Sequence, residues 1–341
     1  MPNSLFDVVA IGNAIVDVLA RAEDDLIAAR GLAKGSMTLI DAAMADDLYG
    51  AMGAAIEASG GSAANTAAGI AALGGRAAFI GKVADDELGR IFRHDIKAVG
   101  VHYDTPALPR DSATPTARSM ILITPDAERT MSTYLGACVT LCPEDIDEAI
   151  VKSARVTYVE GYLWDEPRAK EAIMKAILVA KDAGRKVALS LSDTFCVERH
   201  REEFQDLTEG FVDILFANEG EAVALYQSAS VDEAVARLRE AVPVVALTRG
   251  AAGSLIVTER DEIPVPAEPA DRVVDTTGAG DLYAAGFLAA FARAPDLALD
   301  IDFSLCGRLA GLAASECIGH MGPRPERDLK ALAAARLALS L

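Results

Sequence analysis

Aromatic residues make up only 5% of the 341 positions, and there is a single tryptophan. A core must therefore be built from Ala, Val, Ile and Leu, which suits buried parallel strands alternating with helices. Cysteine is sparse as well. Cys138, Cys142, Cys196, Cys306 and Cys317 form no CxxC pair, and an odd number cannot pair completely within one chain. Reduced thiols in a cytoplasmic protein are expected. His94, His102, His200 and His320 show no HExxH-like spacing, which argues against a zinc site. Basic residues are outnumbered, 32 against 51 acidic, for a formal charge of -19. Such a surface repels nucleic acid and anionic membrane, so an anionic ligand needs a local site of backbone amides, cations or metal. Met1 to Ala10 has no basic segment followed by a signal-like apolar stretch. The most apolar run, Ala284 to Ala292, is too short to span a bilayer and is closed by Arg293.

What is present is alternation. Short apolar runs at Phe6–Ile11, Ala77–Ile80, Val156–Val159, Val187–Leu191, Ile214–Ala217, Val244–Thr248 and Ser254–Val257 read as buried strands. Between them, Ala63–Leu73, Glu87–Val99, Pro167–Ala183 and Val231–Ala241 have helical spacing. The pattern predicts a doubly wound α/β fold with a mostly parallel sheet, and an almost wholly helical chain from Asp281 onward. Two stretches break the alternation: Met37–Ile40, and a hairpin of Thr116–Ile123 and Thr130–Leu135 around Pro125-Asp126. They form either a small projecting sheet or edge strands of the main one. A projecting sheet would serve as a lid that excludes water.

The strongest chemical signal is Asp275-Thr276-Thr277-Gly278-Ala279-Gly280-Asp281, a turn running into a helical stretch. At a helix N-terminus, free N–H groups and the helix dipole attract phosphate, and glycines allow close approach. Gly278, Ala279 and Gly280 are the candidate anion hole, and Asp281 the candidate general base toward an attacking hydroxyl. A second signal is Gly60-Gly61-Ser62-Ala63-Ala64-Asn65, opening an alanine-rich helix. Tight packing explains its small residues but not Asn65, which suits a hydrogen bond to a sugar hydroxyl. A dinucleotide oxidoreductase is disfavoured, because no GxGxxG follows the first strand.

These two segments, in this order and separation, resemble the signature motifs of the ribokinase-like (PfkB) family of carbohydrate and nucleoside kinases. The resemblance covers essentially the whole chain. It implies one ribokinase-like α/β domain over 1–341, with lid segments at about 13–40 and 112–137 inserted as a small β-sheet. Asp17, in Gly12-Asn13-Ala14-Ile15-Val16-Asp17, would bind substrate hydroxyls together with Gly61, Ser62 and Asn65. Asn218 and Glu221, an N-x-x-E motif, would organise Mg2+ and phosphate, with Glu221 acting through water. Thr248, Arg249, Gly250, Gly253 and Thr277 would meet the phosphates of ATP, and Asp275 would help hold a monovalent cation such as K+. Lys34–Met37 and Arg129–Ala137 look most like the bacterial adenosine-kinase-like branch, in which Met37, Met131, Tyr134 and Leu135 would either offer an apolar surface to a purine or form the lid's own small core. The resemblance ranks a nucleoside such as adenosine first, and ribose, fructose or 2-keto-3-deoxygluconate second. A non-catalytic nucleoside-binding protein is the rival from another class. A lid sheet with exposed apolar strands would also allow a homodimer.

Overall fold

The computed structural model describes residues 5–126, 128–294, 297 and 301–339. Among them, eight strands form the main sheet. Ala77–Ile80, Phe6–Ile11, Ala154–Glu160, Lys186–Ser190, Ile214–Asn218 and Val244–Thr248 lie side by side and parallel. Ser254–Thr258 and Glu262–Val265 continue the sheet as antiparallel neighbours. Successive residues of one strand serve opposite layers. Val8 and Ala10 pack into one core, Val9 and Ile11 into the other. That double burial explains why the strands read as continuous apolar runs. Each fully buried Val or Ile contributes about 1.5–3 kcal/mol through the area it removes from water.

Helices cover both faces, and one pairing matters for the site. The helix Ser62–Ala72 lies against the helix Ala279–Phe291, where Gly69 leaves no room for a Cβ beside Leu282 and Ala285. This close approach brings the N-termini of the two motif helices together at the strand ends.

The hairpin forms as expected, with Ile123 opposite Arg129 and Arg118 opposite Tyr134. It belongs to a separate sheet, ordered Met37–Leu39, Arg129–Tyr134, Ala117–Ile123, Ile15–Arg21, Ala55–Gly60. The alternative of edge strands on the main sheet is thereby excluded. The small sheet is also wider than expected, because Ala55–Gly60 lies outside both segments 13–40 and 112–137. Its sequence AIEASG has too little apolar alternation to announce a strand. A second correction concerns the C-terminal part. Three helices, Ala279–Phe291, Phe303–Cys317 and Leu329–Leu337, are present, but residues 318–328 form a loop. Gly322 there has φ +94, and Pro323 and Pro325 remove the N–H groups a helix would need. No helix among the described residues is long and apolar enough to cross a membrane.

Candidate active site

Glu160 ends its strand fully buried, and its carboxylate organises the first turn of the site. One oxygen accepts from the Asn13 N–H at 2.8 Å and from Asn13 Nδ2 at 2.7 Å. The other accepts from the Ala63 N–H at 2.7 Å, at the start of the helix Ser62–Ala72. Gly12 is required because a Cβ would run into Glu160, and Gly61, at φ +93, because a Cβ would strike the Asn13 carbonyl. Burial pushes the Glu160 carboxyl up to about 7, against the pull of the Asn13 and Ala63 N–H groups.

The second turn is braced by Asp275. Its Oδ1 accepts from the Thr277 N–H at 2.9 Å and hydroxyl at 2.6 Å, and its Oδ2 from the Gly322 N–H at 3.0 Å. With its oxygens so engaged at zero exposure, Asp275 holds the turn and the 318–328 loop together. Gly278 caps the following helix at φ +77, with Pro323 2.6 Å from where a Cβ would stand. Gly278→Ala is therefore expected to lower stability by about 1–3 kcal/mol, read as a fall in the thermal midpoint. Ala279 turns its N–H back on the Thr276 carbonyl at 3.3 Å. Among the described residues, the N–H groups of Gly278, Gly280 and Asp281 have no protein acceptor. Gly278, Gly280 and Asp281 therefore present N–H groups that an anion could meet, whereas Ala279, also expected in an anion hole, has its N–H engaged. Arg129 adds a cation from the small sheet, donating to Thr277 Oγ1 at 2.8 Å with its Nε 3.6 Å from Asp275.

Asp281 joins the two motifs. Its Oδ1 accepts from the Ser62 hydroxyl at 2.6 Å and its Oδ2 from Asn65 Nδ2 at 3.0 Å. Burial raises its carboxyl above the usual range, while the Ser62 and Asn65 donors and then Arg129 oppose the rise. Asn65 is left with a buried Oδ1 that has no partner. Asp17, 6% exposed, lies where the missing Cβ of Gly60 makes room for it, and no donor among the described residues bonds its carboxylate. Burial pushes it up to about 7; Arg324 opposes this and Asp281 and Asp275 add to it.

These groups open onto a cavity of about 510 Å³. Asn13, Gly61, Ser62, Asn65, Asn218, Glu221, Thr248 and the turn Thr276–Asp281 supply polar lining. The small sheet contributes Asp17, Ser119, Arg129 and Thr133 together with Ile15, Met37, Leu39, Ile121 and Met131, and Leu135 follows just after its strand. Tyr162 and Phe195, the latter 62% exposed, add aromatic faces that sequence reasoning missed. Tyr134 is a correction. Met131, Thr133 and Leu135 line the cavity, and strand alternation puts Tyr134 on the other face, beside Gly136.

Arg249, Gly250 and Gly253 also lie outside this cavity. Arg249 is 40% exposed in its side chain and donates to Glu219 at 2.9 Å. Gly250 and Gly253, at φ +55 and +88, make the tight turn expected of them. Asn218 and Glu221 do not sit one turn apart on a helix. Asn218 is the N-cap, bonded reciprocally to Glu221 in a capping box. Burial raises Glu221 to about 7, with the Asn218 N–H opposing and Asp193 adding. No group of three or more His, Cys, Asp or Glu gathers as a metal cage among the described residues. A single buried carboxylate at the cavity wall fits an ion that keeps its water and travels with phosphate.

A family model described as pfkB family carbohydrate kinase matches residues 8–328. The chain belongs to this family. Its fold is shared with the crystal structure of adenosine kinase from Sinorhizobium meliloti, at 51% identity and TM-score 0.91, covering 98% of this chain and 99% of that one. It is equally close to a structure described as a probable sugar kinase from Rhizobium etli, at 48% identity and TM-score 0.92, covering 98% and 100%. A fructokinase from Klebsiella pneumoniae is 29% identical over 313 residues, 86% of this chain and 97% of the relative. As a member of the pfkB family, the protein is an ATP-dependent phosphotransferase acting on an alcohol group of a nucleoside or sugar.

Proposed function

We propose that the acceptor is a nucleoside such as adenosine, phosphorylated on its 5′-hydroxyl. The observation that carries this reading is the mixed lining of the cavity. The Asp17 carboxylate and Asn65 Oδ1 are acceptors without partners among the described residues, and Met37, Ile121, Met131, Leu135, Tyr162 and Phe195 give the same cavity apolar and aromatic surface. A free sugar carries hydroxyls around its whole ring, and those against Met37, Ile121, Met131 and Leu135 would lose their water without gaining partners. A nucleoside combines both characters, a vicinal diol and a flat, weakly polar base. The similarity to the Sinorhizobium meliloti protein supports the same reading. The Rhizobium etli description supports a second reading, a free sugar as acceptor.

In the proposed mechanism Asp17, Gly61 and Asn65 hold the diol. Asp281 takes the proton of the attacking hydroxyl, and its raised pKa makes it a stronger base than an exposed aspartate. The free N–H groups of Gly278, Gly280 and Asp281 receive charge developing on the transferred phosphoryl group, with Arg129 and Thr277 alongside. Magnesium arriving with ATP would be held through water by Glu221 and Asn218 and would neutralise phosphate charge. The small sheet covers the acceptor and excludes water from the transfer.

A coupled ADP-release assay across adenosine, guanosine, inosine, ribose, fructose and 2-keto-3-deoxygluconate tests the choice. Adenosine or another nucleoside should give the highest kcat/KM; a sugar ahead of every nucleoside would overturn the reading. Asp17→Ala is expected to raise the acceptor KM roughly 10- to 100-fold, the worth of hydrogen bonds to a charged group, and to leave the ATP KM unchanged. An unchanged acceptor KM would move the diol site elsewhere.

A further inference from the structure

The register of the small sheet sets its cavity-facing side chains in rungs that cross the strands. In one rung Asp17 stands beside Ser119, and Ser119 opposite Thr133. In the next, two residues along the same strands, Ile121 stands opposite Met131, and Met131 beside Met37. Strand alternation puts both rungs on one face, and all of these side chains line the cavity. A polar rung that begins at the proposed diol ligand thus runs alongside an apolar one.

Ser119 and Thr133 are 5% and 7% exposed, and their hydroxyl oxygens lie 2.8 Å apart, with either able to donate. Such a cross-strand pair helps to join two strands. The bond uses only one of the two hydroxyl protons, and the other has no acceptor among the described residues. Because either oxygen can donate, the free proton can stand on either one. A buried O–H without a partner costs free energy, and the space these two side chains face is the cavity.

We infer that Ser119 and Thr133 form a specificity-determining pair that donates one hydrogen bond to a ring nitrogen of the acceptor's base. The inference rests on the nucleoside reading, with Asp17 as the diol ligand. Neighbouring strands are about 4.8 Å apart, so Ser119 stands about one such step from Asp17 and Thr133 about two. A base follows its ribose by a single glycosidic bond, and a ribose held at Asp17 keeps its base within reach of these next strands. The rung of Ile121, Met131 and Met37 takes the apolar face of the base, and the nitrogen at its edge accepts from the pair. A ring nitrogen brings no proton of its own, so it meets the free O–H without adding another unmet donor. A base with C–H at that place buries the O–H unpaired, and a site built for a hydrogen bond discriminates against it.

The test is calorimetric binding, without nucleotide, of adenosine and of 1-deaza-, 3-deaza- and 7-deazaadenosine, each with one ring nitrogen replaced by C–H. The wild type should bind one of the three about tenfold more weakly than adenosine, the worth of one hydrogen bond whose donor is left buried. In Ser119→Ala/Thr133→Val that ratio should fall to near one. The variant's loss toward adenosine should appear in the acceptor KM, with the ATP KM at its wild-type value. A purely structural role would weaken adenosine and the analogue alike and leave their ratio unchanged. Equal wild-type affinities for all four ligands would overturn the inference, as would a ratio that survives the double substitution. Should the double variant fail to fold, Ser119→Ala and Thr133→Val carry the test singly: at least one must cut the ratio, and two unchanged ratios overturn the inference. The substrate reading fails separately. A sugar ahead of every nucleoside in the acceptor panel removes that reading and this inference together, whereas equal deaza affinities with a nucleoside still preferred remove the inference alone.

Discussion

Asp281→Asn is expected to lower kcat by a factor of about 10²–10⁴, the usual contribution of a positioned general base, while ATP still binds. The substitution keeps shape and removes the proton-accepting charge. It also sets an amide N–H against the Asn65 Nδ2 donor, which now bonds Asp281 at 3.0 Å. Asn65 can answer by turning its amide, and its free Oδ1 is then drawn away from the cavity. A modest rise in acceptor KM should therefore accompany the fall in kcat. The pH profile follows from the same group. Burial raises Asp281 above the ordinary carboxylate range, and a base works only when ionised. Wild-type kcat should fall on the acidic side as Asp281 takes its proton, and the Asn variant should lose that limb. Near-normal turnover, with nucleotide binding confirmed by calorimetry, would rule out the assignment.

Glu160→Ala is expected to cost about 3–5 kcal/mol of stability, because one truncation strands several buried donors. The Asn13 N–H, Asn13 Nδ2 and the Ala63 N–H would all lose their acceptor. These three donors tie the Gly12-Asn13 turn to the helix carrying Ser62 and Asn65, so activity should fall with stability. The cost should depend on pH. Folding raises Glu160 from its ordinary value of 4.5 to about 7, so the folded state holds its proton more tightly than the unfolded chain. The stability this brings is present below the unfolded pKa and is lost as pH rises through the folded one. Denaturant unfolding of wild type and variant should therefore show a larger difference near pH 5 than near pH 8. A difference below about 1 kcal/mol, the level of an ordinary surface change, would remove Glu160 from the framework of the site.

Much of this site is legible along the chain because its parts are local. The turn that presents free N–H groups is built from consecutive residues, and Gly278 at φ +77 does there what only glycine does easily. The strand and helix alternation was equally visible, since the parallel strands of the main sheet are buried on both faces. The small sheet was harder. Ala55–Gly60 carries no clear pattern, and Tyr134 looked like a cavity residue until the register set its neighbours Thr133 and Leu135 inward. Residues 318–328 lie between two helices rich in Ala and Leu, and their own glycines and prolines mark the break.

The sequence by itself determined the α/β class, the glycine turn that ends on the candidate base Asp281, and the small-residue helix with Asn65. Each rests on neighbours in the chain, whose spacing carries the physical meaning. Only the tertiary structure decided what those pieces meet. Ser62 and Asp281, bonded at 2.6 Å, are 219 positions apart. Arg129 reaches Thr277 across 148, and Glu160 gathers Asn13 across 147 and Ala63 across 97. A buried carboxylate or guanidinium is recognised by the groups around it, and at such separations those groups leave no period or spacing to read. The turn of Gly278 to Asp281 could thus be found in the chain, whereas the walls that choose its acceptor exist only once the two sheets are folded against each other.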